Sequence, residues 1–175
     1  LEWRVVLDEG SDRPDLYRRA VQNRKKGLPP PAGMHWYEVI GDKGAREEVL
    51  VDDRVEMTGD GVDPAKIRLS QDDEFRDAIS ITFTPAGNEA FNRMAKKCFP
   101  RKQRSAVILN DLRALPTEEE KARDASAPGQ ILEQGICYSA LGFQTDSFDG
   151  GAVITGSFSA QERQNLTDVF RSGSL

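Results

Sequence analysis

Alternating apolar and polar residues mark the most sharply defined part of the chain. Residues 79–83, Ile-Ser-Ile-Thr-Phe, alternate strictly and are typical of a half-buried strand. Thr84 and Pro85 then predict a helix start, because a threonine hydroxyl caps free backbone N–H groups and proline fits the first turn. Residues 98–100 are expected to end this helix. Its apolar stripe, at three- and four-residue spacing, is Ala86, Ala90, Phe91, Met94 and Ala95.

The same reasoning predicts two more helices and several shorter strands. One helix is expected to begin at Pro14 and to stop at Gly27, and another begins at residues 159–162, which have capping-box spacing. Weak signals leave residues 111–150 as a long connection with one strand near 131–138. The remaining strands are expected at residues 1–7, 36–40, 48–51, 67–69, 106–109 and 152–155, with 36–40 and 48–51 forming a hairpin.

Strands and helices without a regular βαβ repeat predict an α+β fold, with a mixed or antiparallel sheet and two to three packed helices. We interpret residues 1–175 as a single domain. Within it, residues 1–52 hold the first strand, a helix and a hairpin. Residues 53–158 form a core with the long insertion 111–150, and residues 159–175 form a C-terminal helix.

Charge and composition narrow the classes of function. The chain has 175 residues with 24 Lys and Arg against 29 Asp and Glu, so its formal net charge is −5. This acidic balance argues against general nucleic-acid binding and against a polybasic membrane-surface module. No apolar run approaches the 18–20 residues, roughly, that span a bilayer, so we expect the piece itself to be soluble. The chain begins with Leu1, which suggests a fragment of a longer protein.

Candidate metal-binding and nucleophilic residues are few. His35 is the only histidine, so a His-rich metal site is excluded and we interpret it as a structural or surface residue. Cys98 and Cys137 lack Cys-x-x-Cys spacing, which argues against zinc and thioredoxin-type chemistry. Two alternatives stay open for them: a disulfide in an oxidising compartment, or two partly buried thiols. No cofactor is expected.

Charged runs and motif searches give no catalytic signal. The acidic runs 52–53, 72–74 and 118–120 are interpreted as solvated charge. Residues 93–104 carry six basic side chains and no acid, which suits a helix C-terminus, with an anionic partner surface as the alternative. Since no phosphate-binding loop, nucleophile elbow or dinucleotide fingerprint is present, we expect a protein that is not an enzyme.

Five segments, in order and spacing, resemble the SecD family of protein-export membrane proteins. They are Leu-Glu-Trp-Arg-Val-Val at residues 1–6, the Thr-Gly-Asp-Gly-Val segment within 55–67, residues 79–91, Gly-Gly-Ala-Val-Ile-Thr-Gly-Ser-Phe-Ser at 150–159, and the end of the chain at 169–175. The chain departs from the family pattern at Leu109-Asn-Asp111, where Leu-Asp-Gly is usual, and in the length of 111–150. The motif positions, interpreted as structural, are Gly59, Gly87, Phe91, Gly150, Gly151, Ile154, Gly156, Phe158 and Gly173.

The resemblance implies an extracytoplasmic domain of SecD, mainly the head subdomain of its first large periplasmic domain. The parent protein would be embedded in the inner membrane, and residues 159–175 would lead towards a membrane segment. Such a domain would bind emerging preprotein and promote its export with the proton-motive force, without catalysis. Its partners would be SecF, the SecY channel complex and unfolded preprotein.

The uncharged stretch 136–143 is the candidate preprotein-binding surface, through Ile136, Tyr138, Leu141 and Phe143. It could equally be a buried strand. Two other functions stay open. One is a stand-alone α+β domain that binds a ligand or partner, with a polar pocket near His35 or Arg104. The other is a scaffold that binds a Sec subunit and no unfolded chain.

Overall fold

Two antiparallel sheets and three helices make up the part of the chain that the computed structural model describes, which is residues 1–40, 46–72, 74, 76–109, 136–155 and 159–173. The predicted α+β class is confirmed, and each strand pair is antiparallel. The helices are α1 (Pro14–Lys25), α2 (Pro85–Cys98) and α3 (Ala160–Gly173). The strands are β1 (Glu2–Leu7), β2 (Met34–Ile40), β3 (Arg46–Thr58), β4 (Arg68–Gln71), β5 (Asp77–Thr82), β6 (Arg104–Leu109), β7 (Ile136–Gly142) and β8 (Gly151–Thr155).

The larger sheet has five strands in the order β2-β3-β1-β6-β7. Its edge strands β2 and β7 contact each other, so the sheet curls around the apolar cluster on its concave face. Alternate residues of each strand point to opposite faces. The concave cluster is Val6, Tyr37, Val39, Val49, Val51, Ala106, Ile108 and Cys137.

The smaller sheet has the order β4-β5-β8 and shares the main core with the convex face of the larger sheet. Helices α2 and α3 both contribute to this core. Trp3 of β1 stacks on Phe170 of α3, with ring centroids 5.6 Å apart. The two sheets therefore share one hydrophobic core. Its largest fully buried members are Trp3, Phe170, Ile67, Ile79 and Met94.

The start and end of helix α2 follow the sequence prediction. Thr84 Oγ1 accepts a hydrogen bond from Gly87 N at 3.1 Å, and Pro85 is the first helical residue. The helix ends at Cys98, and a 3₁₀ turn, Phe99–Arg101, follows it. Phe91, Met94 and Ala95 of the predicted stripe are buried in the core, and Ala90 is partly buried. Ala86 is exposed, so the prediction is wrong for the first turn of the helix.

Strand β3 is longer than predicted, and β7 continues past the predicted end at residue 138. The predicted hairpin is confirmed as β2 with β3, but β3 continues to Thr58 through the polar residues 52–54. Strand β7 overlaps the predicted strand 131–138 in its first three residues and pairs with β6. The residues between the two strands of the hairpin, 41–45, and most of the connection 111–150 lie outside the described residues.

Candidate functional site

An apolar cleft of about 150 Å³ lies where the two sheets diverge, between the end of β7 and strand β8. Two of the predicted preprotein-binding residues, Leu141 and Phe143, line it. The side chains of Ile136 and Tyr138 lie outside the described part of the structure. None of the described residues that line the cleft carries a titratable side chain. Its principal apolar members are Phe83, Phe91, Leu141, Phe143, Phe148 and Ile154.

Phe91, on helix α2, is the centre of an aromatic cluster in the cleft. Its ring centroid lies 4.6 Å from Phe83, 5.6 Å from Phe143 and 5.0 Å from Phe148. The contact with Phe148 is edge-on, which is a favourable arrangement of two aromatic quadrupoles. The cluster joins the helix to the segment between β7 and β8, so the cleft has a floor fixed by packing.

Two asparagines of α2 hold the segment that joins β7 to β8. Asn92 Nδ2 donates to the carbonyl oxygen of Phe148 at 2.9 Å, and Asn92 Oδ1 accepts from Phe148 N at 2.7 Å. Asn88 Oδ1 accepts from Gly150 N at 3.1 Å. These bonds satisfy backbone groups that have no strand partner, and they place the Phe148 ring in the cleft. No pattern in the sequence indicates either asparagine as a site residue.

A second cavity, of about 350 Å³, lies beside the start of α2. It is an open depression between the end of β3 and the first turns of the helix, where Ala86, Gly87 and Ala90 leave space. Its acidic groups have partners, because Glu56 pairs with Lys97 at 3.3 Å and Asp60 accepts from Thr58. The smaller cleft is the better candidate site, since it is more enclosed, has no charged residue in its described lining and is flanked by strand edges.

Neither polar residue proposed for an alternative ligand pocket faces either cavity. The guanidinium of Arg104 donates twice to Glu47, at 2.9 and 2.6 Å, and the bond lowers the pKa of that carboxyl. His35 Nδ1 lies 2.5 Å from Asp53 Oδ1, at the exposed start of β2. Each of these two side chains therefore contacts an acidic side chain of β3: Arg104 from β6 and His35 from β2.

Cys98 and Cys137 are both buried thiols and are not bonded to each other. Cys98 packs in the main core on the convex side of the larger sheet, and Cys137 belongs to the concave cluster. Because the sheet lies between the two sulfur atoms, the disulfide alternative is wrong, and the structure contains two buried thiols. Burial raises the pKa of the Cys98 thiol to about 11.

The motif residues are spread along the main core. Gly59 lies in the 3₁₀ turn Gly59–Gly61, and a Cβ on Gly87 would overlap the carbonyl oxygen of Gly61. Gly150 has a positive φ of 75°, and a Cβ on Gly151 would lie 2.5 Å from the Ile81 carbonyl oxygen. The remaining described members are Phe91 and Ile154, both buried, and Gly173, the last residue of α3, while Gly156 and Phe158 lie outside the described residues.

Charged side chains in the basic segment 93–104 are partly neutralised. Arg93 pairs with Glu89, Lys97 with Glu56, and Arg104 with Glu47. In the acidic run 72–74, the Asp72 carboxylate accepts from the Arg76 side chain at 2.7 Å.

Across the ranges that the structure describes, no group of three or more His, Cys, Asp or Glu could hold a metal ion. Every described helix is too short or too polar to cross a bilayer.

Residues 36–175 match the family model described as SecDF, P1 head subdomain. Two solved structures are similar over 99% of this chain at 21% identity. One is described as "Structure and function of a membrane component SecDF that enhances protein export" (TM-score 0.49), and the other as "Crystal structure of SecDF in Super-membrane-facing form" (TM-score 0.48). The chain spans 62% and 19% of the lengths of those two chains. No curated protein matches the sequence.

Proposed function

Because this chain belongs to the SecDF P1 head subdomain family, we propose that it is the capture domain of a Sec protein-translocase accessory subunit. In this proposal the parent protein is embedded in the inner membrane and presents this domain on the extracytoplasmic side. The domain binds emerging preprotein reversibly, and the parent uses the proton-motive force to promote export. SecF, the SecY channel complex and unfolded preprotein are the proposed partners.

The apolar cleft between β7 and β8 is the observation that carries this proposal. An unfolded chain offers any sequence, so its receptor needs apolar surface rather than specific polar contacts. Burial of one large apolar side chain contributes about 1.5–3 kcal/mol, which changes a dissociation constant by roughly 10- to 150-fold. That strength suits capture followed by release. A described lining without titratable side chains supports binding rather than acid–base chemistry.

A matched pair of substitutions tests capture by this cleft. Leu141→Asp places a carboxylate in the cleft, and Leu28→Asp makes the same change at an exposed site in the connector after α1, where Leu28 is 53% exposed. With a permanently unfolded, fluorescently labelled polypeptide as the probe, we expect Leu141→Asp to weaken binding at least tenfold and Leu28→Asp to leave it unchanged. Far-UV circular dichroism would verify that both variants fold.

Crosslinking in the full-length parent tests the proposed partners. A photoreactive amino acid at Val153, beside the cleft, should crosslink to a preprotein arrested during export. The same probe at Leu28 serves as the control. Equal crosslinking from both positions, or unaltered binding by Leu141→Asp, would argue against the cleft as the capture site.

A further inference from the structure

We propose that the captured segment binds as an added β-strand on the open edge of β8, with one large apolar side chain in the cleft. The inference rests on the proposed function and specifies its ligand: an extended segment of unfolded polypeptide with an apolar anchor and basic flanks. A helical or collapsed apolar segment would not meet these requirements.

Strand β8 presents backbone groups on its outer side that pair with no strand among the described residues. It is the last strand of the order β4-β5-β8, and no described strand pairs with its other side. Phe83 N donates to the Gly150 carbonyl oxygen at 2.8 Å, and hydrogen-bonded pairs alternate along an antiparallel ladder. Ala152 and Ile154 therefore direct their backbone groups to β5. The N–H and C=O groups of Gly151, Val153 and Thr155 point outwards.

Within the described residues, this edge lacks three features that usually prevent strand addition. Exposed edges are commonly blocked by lysine, proline or a bulge. Strand β8 reads Gly-Ala-Val-Ile-Thr, and its pairing with β5 has no register shift. Val153 is 53% exposed, so the outer face is open as well. By contrast, the opposite edge of the sheet carries Arg68 on β4, and strand β7 contacts β2.

The cleft lies beside the edge of β8, where side chains of an added strand could enter it. Residues of the added strand opposite Ala152 and Ile154 would point to the same side as those two residues. That is the side of the core and the cleft, because Ile154 is buried and Ala152 packs against the core, whereas Val153 is exposed. The cleft volume, about 150 Å³, matches that of an apolar cavity that binds benzene. It is smaller than the roughly 300–1,000 Å³ of small-molecule sites. One aromatic or leucine-sized side chain therefore fits, most readily opposite the small Ala152.

Charge beside the cleft favours basic residues next to the anchor. Asp146 and Asp149 are exposed in the segment between β7 and β8, and neither forms an ion pair with a described cation. Complementary charge improves the encounter rate and the choice of partner more than the final affinity. An extended segment with lysine or arginine beside its apolar anchor is therefore the ligand that best matches this edge.

Peptide titration of the 175-residue chain tests the inference directly. The probe is an octapeptide that has one central leucine, a lysine at each end and threonine at the other positions. Its control has the same side chains, with N-methyl groups on the amides of the edge that would face β8. We expect the methylated peptide to bind at least tenfold more weakly. We also expect the unmodified peptide to slow hydrogen exchange at the Gly151 and Val153 amides.

A protein variant gives an independent test. Val153→Pro removes an outward N–H group without breaking the β5 ladder, because proline is tolerated on an edge strand when its nitrogen faces solvent. Val153→Thr retains the N–H group and the branched shape, and serves as its control. We expect Val153→Pro to weaken binding of the unmodified peptide about tenfold, and Val153→Thr to bind it as the parent chain does.

The outcomes separate this inference from the proposed function. If the methylated peptide and Val153→Pro bind as well as their controls while Leu141→Asp loses binding, the cleft captures side chains and strand addition is wrong. If the chain binds no unfolded polypeptide at all, the proposed function fails as well. A β8-to-β8 dimer that peptide does not dissociate, seen by analytical ultracentrifugation, would also overturn the inference.

Discussion

Gly87 is a residue whose replacement the packing resists strongly. Helix α2 crosses the 3₁₀ turn Gly59–Gly61 so closely that a Cβ on Gly87 would overlap the carbonyl oxygen of Gly61. The obstruction is backbone, so no change of side-chain rotamer relieves it. The close approach also sets the distance between the helix and the end of β3, which shapes the second cavity.

Gly87→Ala should therefore destabilise the fold. Overpacking costs about 1–3 kcal/mol, and the upper part of this range applies because the obstruction is backbone, whereas the gain in helix propensity from glycine to alanine is about 1 kcal/mol. We expect the free energy of unfolding to fall by about 1–2 kcal/mol in urea denaturation. Gly142→Ala is the matched control, since a Cβ on Gly142 meets nothing within 4 Å. Unchanged stability of Gly87→Ala would contradict the close packing.

Cys98 should give the fold a pH dependence at alkaline pH. Burial raises the pKa of its thiol from 9.0 to about 11, so the unfolded chain loses this proton at a lower pH than the folded chain. Between about pH 9 and 11 the folded state binds more protons. The free energy of unfolding therefore falls as the pH rises through that window, and the thiol has no such effect below it.

The Cys98→Ala variant isolates this contribution. Burial also raises the pKa of Tyr37, which acts in the same direction and is present in both proteins. We expect unfolding curves measured from about pH 8 to 11 to show a shallower decline for Cys98→Ala than for the parent chain. Parallel curves would mean that the thiol is not buried in the folded state.

Helix α2 is the element that organises the candidate site. Its inner face contributes Phe91 to the aromatic cluster, and its side contributes Asn88 and Asn92 to the segment between β7 and β8. One helix thus positions the cleft floor and the aromatic wall opposite β8. Because the bonds from Asn92 are reciprocal, they fix both backbone groups of Phe148.

Asn92→Ala should loosen that wall without unfolding the domain. Loss of two hydrogen bonds leaves the Phe148 backbone groups without these partners, at roughly 1 kcal/mol for each bond. We expect faster hydrogen exchange at the Phe148 amide and about three- to tenfold weaker binding of the unfolded polypeptide probe. Asn165→Ala, on the exposed face of α3, is the control and should change neither. Unaltered exchange at Phe148 would contradict the positioning role.

The sequence predicts those features that arise from neighbouring residues. The strand at 79–83, the Thr84 cap and the apolar stretch with Leu141 and Phe143 are all local patterns, and the structure contains each of them. The asparagine contacts join residues 56 and 62 positions apart, and nothing near Asn92 or Asn88 indicates a partner in the chain. Only the fold brings them together.

Strand β3 is a second feature that local sequence patterns do not predict in full. Asp52, Asp53 and Arg54 favour a turn by composition, since aspartate is depleted in strands. In the fold, Asp52 accepts from Arg13, and Asp53 lies 3.7 Å from Arg4 of the neighbouring strand. Charges brought by distant segments stabilise a strand whose own residues disfavour it. Register shifts against β1 nearby accommodate the irregular stretch.

Across the whole molecule, the C-terminal helix α3 joins the two sheets. Phe170 is fully buried and stacks on Trp3 of the larger sheet, while Arg171 donates to the Ile67 carbonyl oxygen beside the smaller sheet. Leu166 belongs to the same core. A cleft between two sheets keeps its shape only if the sheets hold a fixed relation, and this helix contributes to that relation.

Phe170→Ala should consequently weaken the entire domain rather than one sheet. Removal of a buried phenylalanine side chain costs about 3–5 kcal/mol. We expect the loss in a single denaturant transition, with coinciding curves from tryptophan fluorescence, which reports on Trp3 and Trp36 of the larger sheet, and from far-UV circular dichroism. Phe99→Ala is the control, because Phe99 is 39% exposed and should cost well under half as much. Two separate transitions would show that the sheets unfold independently, and the proposed strand addition would then have to be explained by the smaller sheet alone.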